Sequence, residues 1–146
     1  MNILDENFIY QNKVWLQMKT DNIHPEYIGY GQQLYALVKD VDSRELVDVL
    51  KDLSSLLKKH SDGQLNDLVK SPGDSLAKKV FDSFMDLPTS GATAAYAIVA
   101  FLEVLKREGR INYELPFKYL ETMNSICNPL RGVKISFNSS QTEVLR

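Results

Sequence analysis

Few side chains in this 146-residue chain have the types and the spacing that chemistry requires. Ser75 and Lys78 match the Ser-x-x-Lys pattern, in which one helical turn sets an amine beside a hydroxyl nucleophile. The other motifs of such a serine acylase do not follow, because Ser61-Asp62-Gly63 ends in glycine where asparagine is required and there is no Lys-Thr-Gly. We therefore interpret Ser75 and Lys78 as the solvent-facing first turn of a helix.

A Gly-x-Gly motif at Gly29-Tyr30-Gly31 matches the start of a dinucleotide-binding fingerprint. The fingerprint needs a third glycine, but Leu34 occupies that position, and no strand pattern leads into the motif. We interpret the two glycines as positions where a helix bends or packs closely against a neighbour.

The sequence offers little for metal or thiol chemistry. His24 and His60 are its only histidines, and neither has a second histidine or cysteine at the spacing of metal ligands. Cys127 is the single cysteine, so no internal disulfide can form, and we expect it to be a small buried apolar residue. We predict no metal site, no cofactor and no catalytic residue.

Glu103 is the one acidic residue within an otherwise apolar stretch, Ala92 to Leu105. A carboxylate buried there would stay protonated or need a partner such as Lys106 or Arg107, and it would be a candidate for function. The other interpretation places Glu103 on the exposed C-terminal part of the helix, paired with Arg107 four residues on. We favour the second interpretation, because such pairs are common and functional buried carboxylates are rare.

The stretch from Ala92 to Leu105 also predicts the architecture. A helix that is apolar on nearly every face must be buried all round, and this one is too short to cross a bilayer, which needs about 20 residues. We predict a mainly α fold: one domain over residues 1–146, a bundle of about six helices around a central buried helix from Ser90 to Arg107. Gly109 follows as its C-terminal cap.

Apolar residues at three- and four-residue spacing predict the surrounding helices. The predicted helices span residues 5–19, 24–38, 43–60 and 64–70, a segment between Asp74 and Pro88, and a segment from Asn112 or Tyr113 to Ile126. Residues 5–19 also fit two short strands. Asp42 or Ser43 can cap the helix at 43–60, which Gly63 ends, and Asp74 can cap the next long helix.

The last residues have a different pattern. Val133, Ile135 and Phe137 alternate with polar residues, which is typical of a strand. Residues 141–146 could pair with this strand as a hairpin, or the tail from 132 to 146 could be extended or flexible. A lone hairpin would need support from the helical body.

Charge and the N-terminus limit the classes of function. Nineteen acidic and seventeen basic residues give a net charge of −2, so no global field attracts the chain to nucleic acid or to an anionic membrane. The first residues lack the basic start of a signal peptide. We expect a cytoplasmic protein that binds neither membranes nor nucleic acid, and its oligomeric state stays open.

The strongest candidate for function is an acidic and aromatic surface. Glu45, Asp48 and Asp52 share one helix face, Asp40 and Asp42 lie at the same end, and tyrosine is frequent in binding interfaces. An ordinary solvent-exposed helix, whose acidic residues lie near its N-terminus because the helix dipole favours them there, would show the same pattern. The candidate partner-binding residues are Tyr27, Tyr30, Asp40, Asp42, Glu45, Asp48 and Asp52.

Two hypotheses remain open at this stage. In the first, the chain is a helical protein-binding module that masks the basic surface of a partner protein. Bacterial immunity proteins, antitoxins and other small inhibitors act in this way, and the chain is similar to them in size and charge alone. In the second, it is an enzyme or small-ligand-binding protein whose site is assembled from residues distant in sequence, with Glu103 the first candidate.

Overall fold

The computed structural model describes residues 23–63, 75–89, 92–116, 119, 128–137 and 142–145. Within them the chain is mainly helical, as predicted, with four helices and one three-stranded sheet. The helices are α1 (Pro25–Val38), α2 (Ser43–Ser61), α3 (Leu76–Met85) and α4 (Ala92–Arg107). The strands are β1 (Ile111–Glu114), β2 (Lys134–Phe137) and β3 (Thr142–Val144).

Helix α2 follows the sequence prediction to within one residue. The Asp42 carboxylate accepts a hydrogen bond of 2.8 Å from the backbone N–H of Glu45, so Asp42 is the N-cap. Gly63 ends the helix with φ of 76°, a left-handed conformation that glycine adopts at little cost. One face of α2 is buried through Leu46, Val47, Val49, Leu50, Leu53, Leu56 and Leu57.

Helices α1 and α3 begin at side-chain caps. His24 Nδ1 accepts a hydrogen bond of 3.2 Å from the backbone N–H of Glu26, and Pro25 occupies the first helical position. Ser75 Oγ accepts a hydrogen bond of 3.1 Å from the backbone N–H of Lys78. The expectation that Asp74 caps α3 is therefore wrong, because Ser75 is the residue whose side chain reaches the free amides of the first turn.

Helix α4 is the most buried helix among the described residues. Every residue from Ala97 to Leu105 is buried, which confirms that this apolar helix lies in the core. Its predicted end at Arg107 is confirmed, while residues 90 and 91 lie outside the described residues. No helix in the described part of the chain is both long and apolar enough to cross a bilayer.

The contact between α1 and α4 depends on Gly31. A Cβ atom at this position would lie 2.6 Å from the carbonyl carbon and oxygen of Ala100 and 2.8 Å from the backbone nitrogen of Phe101. The two helix backbones therefore touch, and only glycine fits between them. The interpretation of Gly31 as a close-packing position is confirmed, whereas a Cβ at Gly29 would meet nothing within 4 Å.

The turn after α4 redirects the chain into the sheet. Gly109 has φ of 74°. Its N–H donates a hydrogen bond of 2.9 Å to the carbonyl of Lys106, and the N–H of Arg110 donates one of 2.9 Å to the carbonyl of Leu105. This pair of bonds is a Schellman motif, which satisfies the last carbonyls of the helix. Strand β1 begins immediately afterwards, at Ile111.

Strand β1 corrects the helix predicted from Asn112 or Tyr113. Ile111 is buried and Tyr113 is half-buried, whereas Asn112 and Glu114 are exposed. Burial that alternates from one residue to the next is typical of a strand. Antiparallel pairing with β2, from Ile111 opposite Phe137 to Glu114 opposite Lys134, supplies the backbone bonds that a helix would have made.

Two further predictions can be compared with the described residues. The C-terminal hairpin is confirmed, since β3 pairs antiparallel with β2, and β1 gives it the third strand that a lone hairpin lacks. The described residues contain four helices rather than about six. The helices expected at 5–19 and 64–70, and the part of the last one at 120–126, lie outside the described residues.

Candidate protein-binding surface

Three exposed carboxylates lie together on α2. Glu45, Asp48 and Asp52 are spaced by three and four residues, so their side chains are neighbours on the exposed side of the helix. The ion pairs between described side chains join Lys78 to Asp82 and Glu103 to Arg107, and neither involves these three. We call Glu45, Asp48 and Asp52 the α2 acidic face.

Asp40 and Asp42 lie in the turn before α2 and extend this negative charge. Asp40 is exposed, while the Asp42 carboxylate is engaged as the N-cap of α2. The basic residues Lys58, Lys59 and His60 occupy the last turn of the same helix. This distribution suits the helix dipole, so helix stability alone would explain part of it.

Tyr27 and Tyr30 lie near the start of α1, whereas Asp40 and Asp42 follow its end. From Tyr27 to Val38, eleven residues further on, the helix rises about 16 Å along its axis before the turn with Asp40 and Asp42 begins. The Tyr27 ring packs edge-on at 5.8 Å from the ring of Tyr96 on α4 and at 6.1 Å from that of Tyr30. Tyr27 and Tyr30 therefore belong to an aromatic group together with Tyr96.

The aromatic group connects α1 to α4. The Tyr30 hydroxyl has a hydrogen-bond partner on its own helix, since it donates a bond of 3.0 Å to Glu26 Oε1. This bond raises the pKa of Tyr30. Burial raises the pKa of Tyr96. Half-buried rings that pack two helices together are mainly structural residues with polar tips near water.

Glu103 is buried and fully engaged. Its side chain is 2 % exposed, Oε2 accepts a hydrogen bond of 2.8 Å from Arg107 Nε, and Oε1 accepts one of 3.1 Å from the Tyr113 hydroxyl. Burial, with the adjacent Glu103 charge, strongly raises the pKa of Tyr113. The predicted pair with Arg107 is confirmed, but the predicted exposure is wrong, because Tyr113 on β1 folds back over the carboxylate after the turn at Gly109.

The remaining candidates are engaged in structural contacts. Lys78 Nζ pairs with Asp82 at 2.6 Å, so it is not an amine held beside the Ser75 hydroxyl. The His60 ring packs edge-on against Phe81 at 5.9 Å. Among the described residues no three His, Cys, Asp or Glu side chains could hold a metal ion, and Cys127 lies outside them.

The sequence reasoning missed Arg110. Its guanidinium donates from Nη1 to the carbonyl of Lys39 at 3.3 Å and from Nη2 to the carbonyl of Val41. Both acceptors belong to the turn between α1 and α2, which also contains Asp40. The partners are 69 and 71 residues apart in sequence, so no local spacing could have revealed the contact.

Comparison with known proteins finds no relative of this chain. No family model, curated protein or solved structure matches this chain. The α2 acidic face is a group of neighbouring like charges on the surface, and they form no ion pair with a described side chain.

Proposed function

We propose that this protein is a small binding module whose α2 acidic face docks on a basic surface of a partner protein. One observation carries the proposal: three neighbouring carboxylates are exposed and form no ion pair with a described side chain. Like charges at this spacing repel one another and destabilise a helix by a few tenths of a kcal/mol. A cationic partner would remove that repulsion.

The surroundings of the acidic face favour a protein partner over a small cation. Asp40 extends the charge beyond the start of α2, and Leu37, 37 % exposed, lies three residues before Asp40. An interface needs an apolar contact as well as complementary charge, because charge mainly steers the encounter and fixes its specificity. Leu37 would supply such a contact beside the acidic residues.

We further propose the class of partner and the setting. A basic active site or nucleic-acid-binding surface masked by this module would make it an inhibitor of the immunity-protein or antitoxin type, in the bacterial cytoplasm. The module would act as a single domain over residues 1–146, without a cofactor and without binding nucleic acid. The acidic face supports this class, because masking a basic site requires opposite charge.

An enzymatic or small-ligand function would depend on Glu103, the one carboxylate that is buried among the described residues. Both of its oxygens already accept hydrogen bonds from Arg107 and Tyr113. A carboxylate in this position stabilises the junction of α4 and β1, so we rank catalysis below protein binding.

Isolation of the partner with matched variants tests the proposed function. Glu45→Lys, Asp48→Lys and Asp52→Lys together reverse the acidic face, while Asp86→Lys, Glu108→Lys and Glu114→Lys make the same change in net charge at exposed positions elsewhere. We expect the immobilised wild type and the control variant to retain a basic protein from the native host and to release it at raised salt. Equal retention by the face-reversed variant would refute the proposal.

A further inference from the structure

Arg110 joins two parts of the molecule that are far apart in sequence. Its backbone is fixed by the Schellman motif at the end of α4, and its half-buried side chain crosses to the turn between α1 and α2. There Nη1 and Nη2 donate to two different carbonyls, those of Lys39 and Val41. A planar guanidinium can hold two acceptors at once, which a lysine ammonium cannot do with the same geometry.

The turn that Arg110 contacts has little other support in the described structure. Helix α1 has no basic residue in its last turn, and Lys39 follows it directly as the C-cap. The remaining backbone bond in the turn, from the N–H of Val41 to the carbonyl of Val38, is 3.3 Å long. Arg110 therefore supplies the side-chain hydrogen bonds that stabilise the carbonyls of Lys39 and Val41 in this turn.

We propose that Arg110 is a positioning residue for the binding surface: it fixes the turn at residues 39–42 and so the direction in which Asp40 and the first turn of α2 present their charge. This inference rests on the proposed function of the α2 acidic face. Asp42 transmits the effect, because it ends the turn and its carboxylate caps α2 through the N–H of Glu45.

The positioning role and the charge of Arg110 have opposite effects on a cationic partner. Removing a positive charge beside an acidic surface should strengthen the attraction of a cation. Releasing the turn should weaken binding, because the carboxylates then have to be ordered again when the partner binds. The sign of the change in affinity after Arg110→Gln therefore separates the two roles.

Hydrogen exchange tests whether Arg110 holds the turn, without any partner. We expect Arg110→Gln to speed exchange of the Val41 amide by about 5- to 30-fold, the effect of losing one or two stabilising contacts, and Arg110→Lys to give a smaller increase. The amide of Ile135 in β2 should be unchanged, which excludes global destabilisation. Unchanged exchange at Val41 would overturn the inference.

Binding of decalysine at low ionic strength tests the link to function. Arg131→Gln is the matched control, because it removes the same charge from an exposed position outside the turn. We expect decalysine to bind Arg110→Gln about two- to fivefold more weakly than wild type and Arg131→Gln no more weakly than wild type. Binding to Arg110→Gln that is equal to or tighter than wild type would overturn the positioning role. If wild type does not bind decalysine, the proposed function fails, and exchange alone decides whether Arg110 holds the turn.

Discussion

The Tyr113 hydroxyl donates a hydrogen bond of 3.1 Å to Glu103 Oε1 and so joins strand β1 to the most buried helix. The other carboxylate oxygen accepts from Arg107, whose side chain is 45 % exposed. Solvent reaches the guanidinium and screens the pair, so its contribution is smaller than that of a fully buried ion pair. The carboxylate nevertheless needs both donors, because a buried charge without partners is costly.

We expect Glu103→Gln to lower the free energy of unfolding by about 1–3 kcal/mol, because a neutral amide cannot accept from both Arg107 and Tyr113. Tyr113→Phe should cost about 1 kcal/mol, and the double variant should cost less than the sum. Urea unfolding measures all three values. Glu108→Gln, exposed just after the same helix, is the control, and an equal effect of the two glutamine substitutions would show that Glu103 is not held in this way.

The close contact of α1 and α4 gives a sharp test of the packing. Gly31→Ala should destabilise the protein by about 3 kcal/mol, because the new Cβ meets the backbone of Ala100, which cannot rotate away. Gly29→Ala should stabilise it by about 0.5–1 kcal/mol, because alanine favours the helix and this position has open space. Thermal unfolding measures both. A similar effect at the two positions would contradict the helix contact.

Tyr113 and Tyr119 predict a loss of stability at alkaline pH. Burial raises the pKa of both hydroxyls far above the ordinary value near 10, and the Tyr119 hydroxyl donates to the carbonyl of Pro129. Above about pH 10 the unfolded chain releases protons that the folded state keeps, so stability present below that pH is lost as pH rises, by about 1.4 kcal/mol per pH unit for each group.

Tyrosinate absorbance followed together with circular dichroism measures this effect. We expect these two tyrosines to ionise only as the protein unfolds, and Tyr113→Phe to flatten the decline of stability with pH. Ionisation of every tyrosine near pH 10 in a protein that is still folded would contradict the burial of Tyr113 and Tyr119.

Two substitutions at Asp42 separate capping from binding. Asparagine caps a helix as well as aspartate does, so Asp42→Asn should keep the free energy of unfolding within about 0.5 kcal/mol, while Asp42→Ala should lower it by about 1 kcal/mol. If Asp42 also contributes charge to the surface, Asp42→Asn slows association with a basic partner without loss of stability. Equal stability of the asparagine and alanine variants would show that Asp42 is not a cap.

Local sequence signals predicted the four described helices well. Helix α2 was predicted to within one residue, because a capping aspartate, a regular leucine pattern and a terminating glycine all agree there. The basic last turn and Gly109 indicated the end of α4, and the alternation of apolar and polar residues indicated the C-terminal hairpin. Strand β1 was missed because four alternating residues are a weak signal and Pro116 fits the first turn of a helix; only the pairing with β2 makes the strand.

The parts of the candidate site that were not predicted depend on long-range contacts. Arg110 reaches carbonyls about seventy residues away, and Tyr113 covers Glu103 only after the chain turns at Gly109. The separation of Tyr27 from Asp40 and Asp42, in contrast, was accessible from the sequence. Eleven helical steps, from Tyr27 to Val38, rise about 16 Å, so nearness along the chain did not mean nearness in space.

The most direct test of the α2 acidic face is the association rate with the basic partner as a function of salt concentration. For wild type we expect a rate that falls steeply as salt rises. The variant with Glu45→Lys, Asp48→Lys and Asp52→Lys should associate at least about tenfold more slowly at low salt, while its rate should no longer fall as salt rises. Association of this variant at the wild-type rate, with the same salt dependence, would contradict binding through the α2 acidic face.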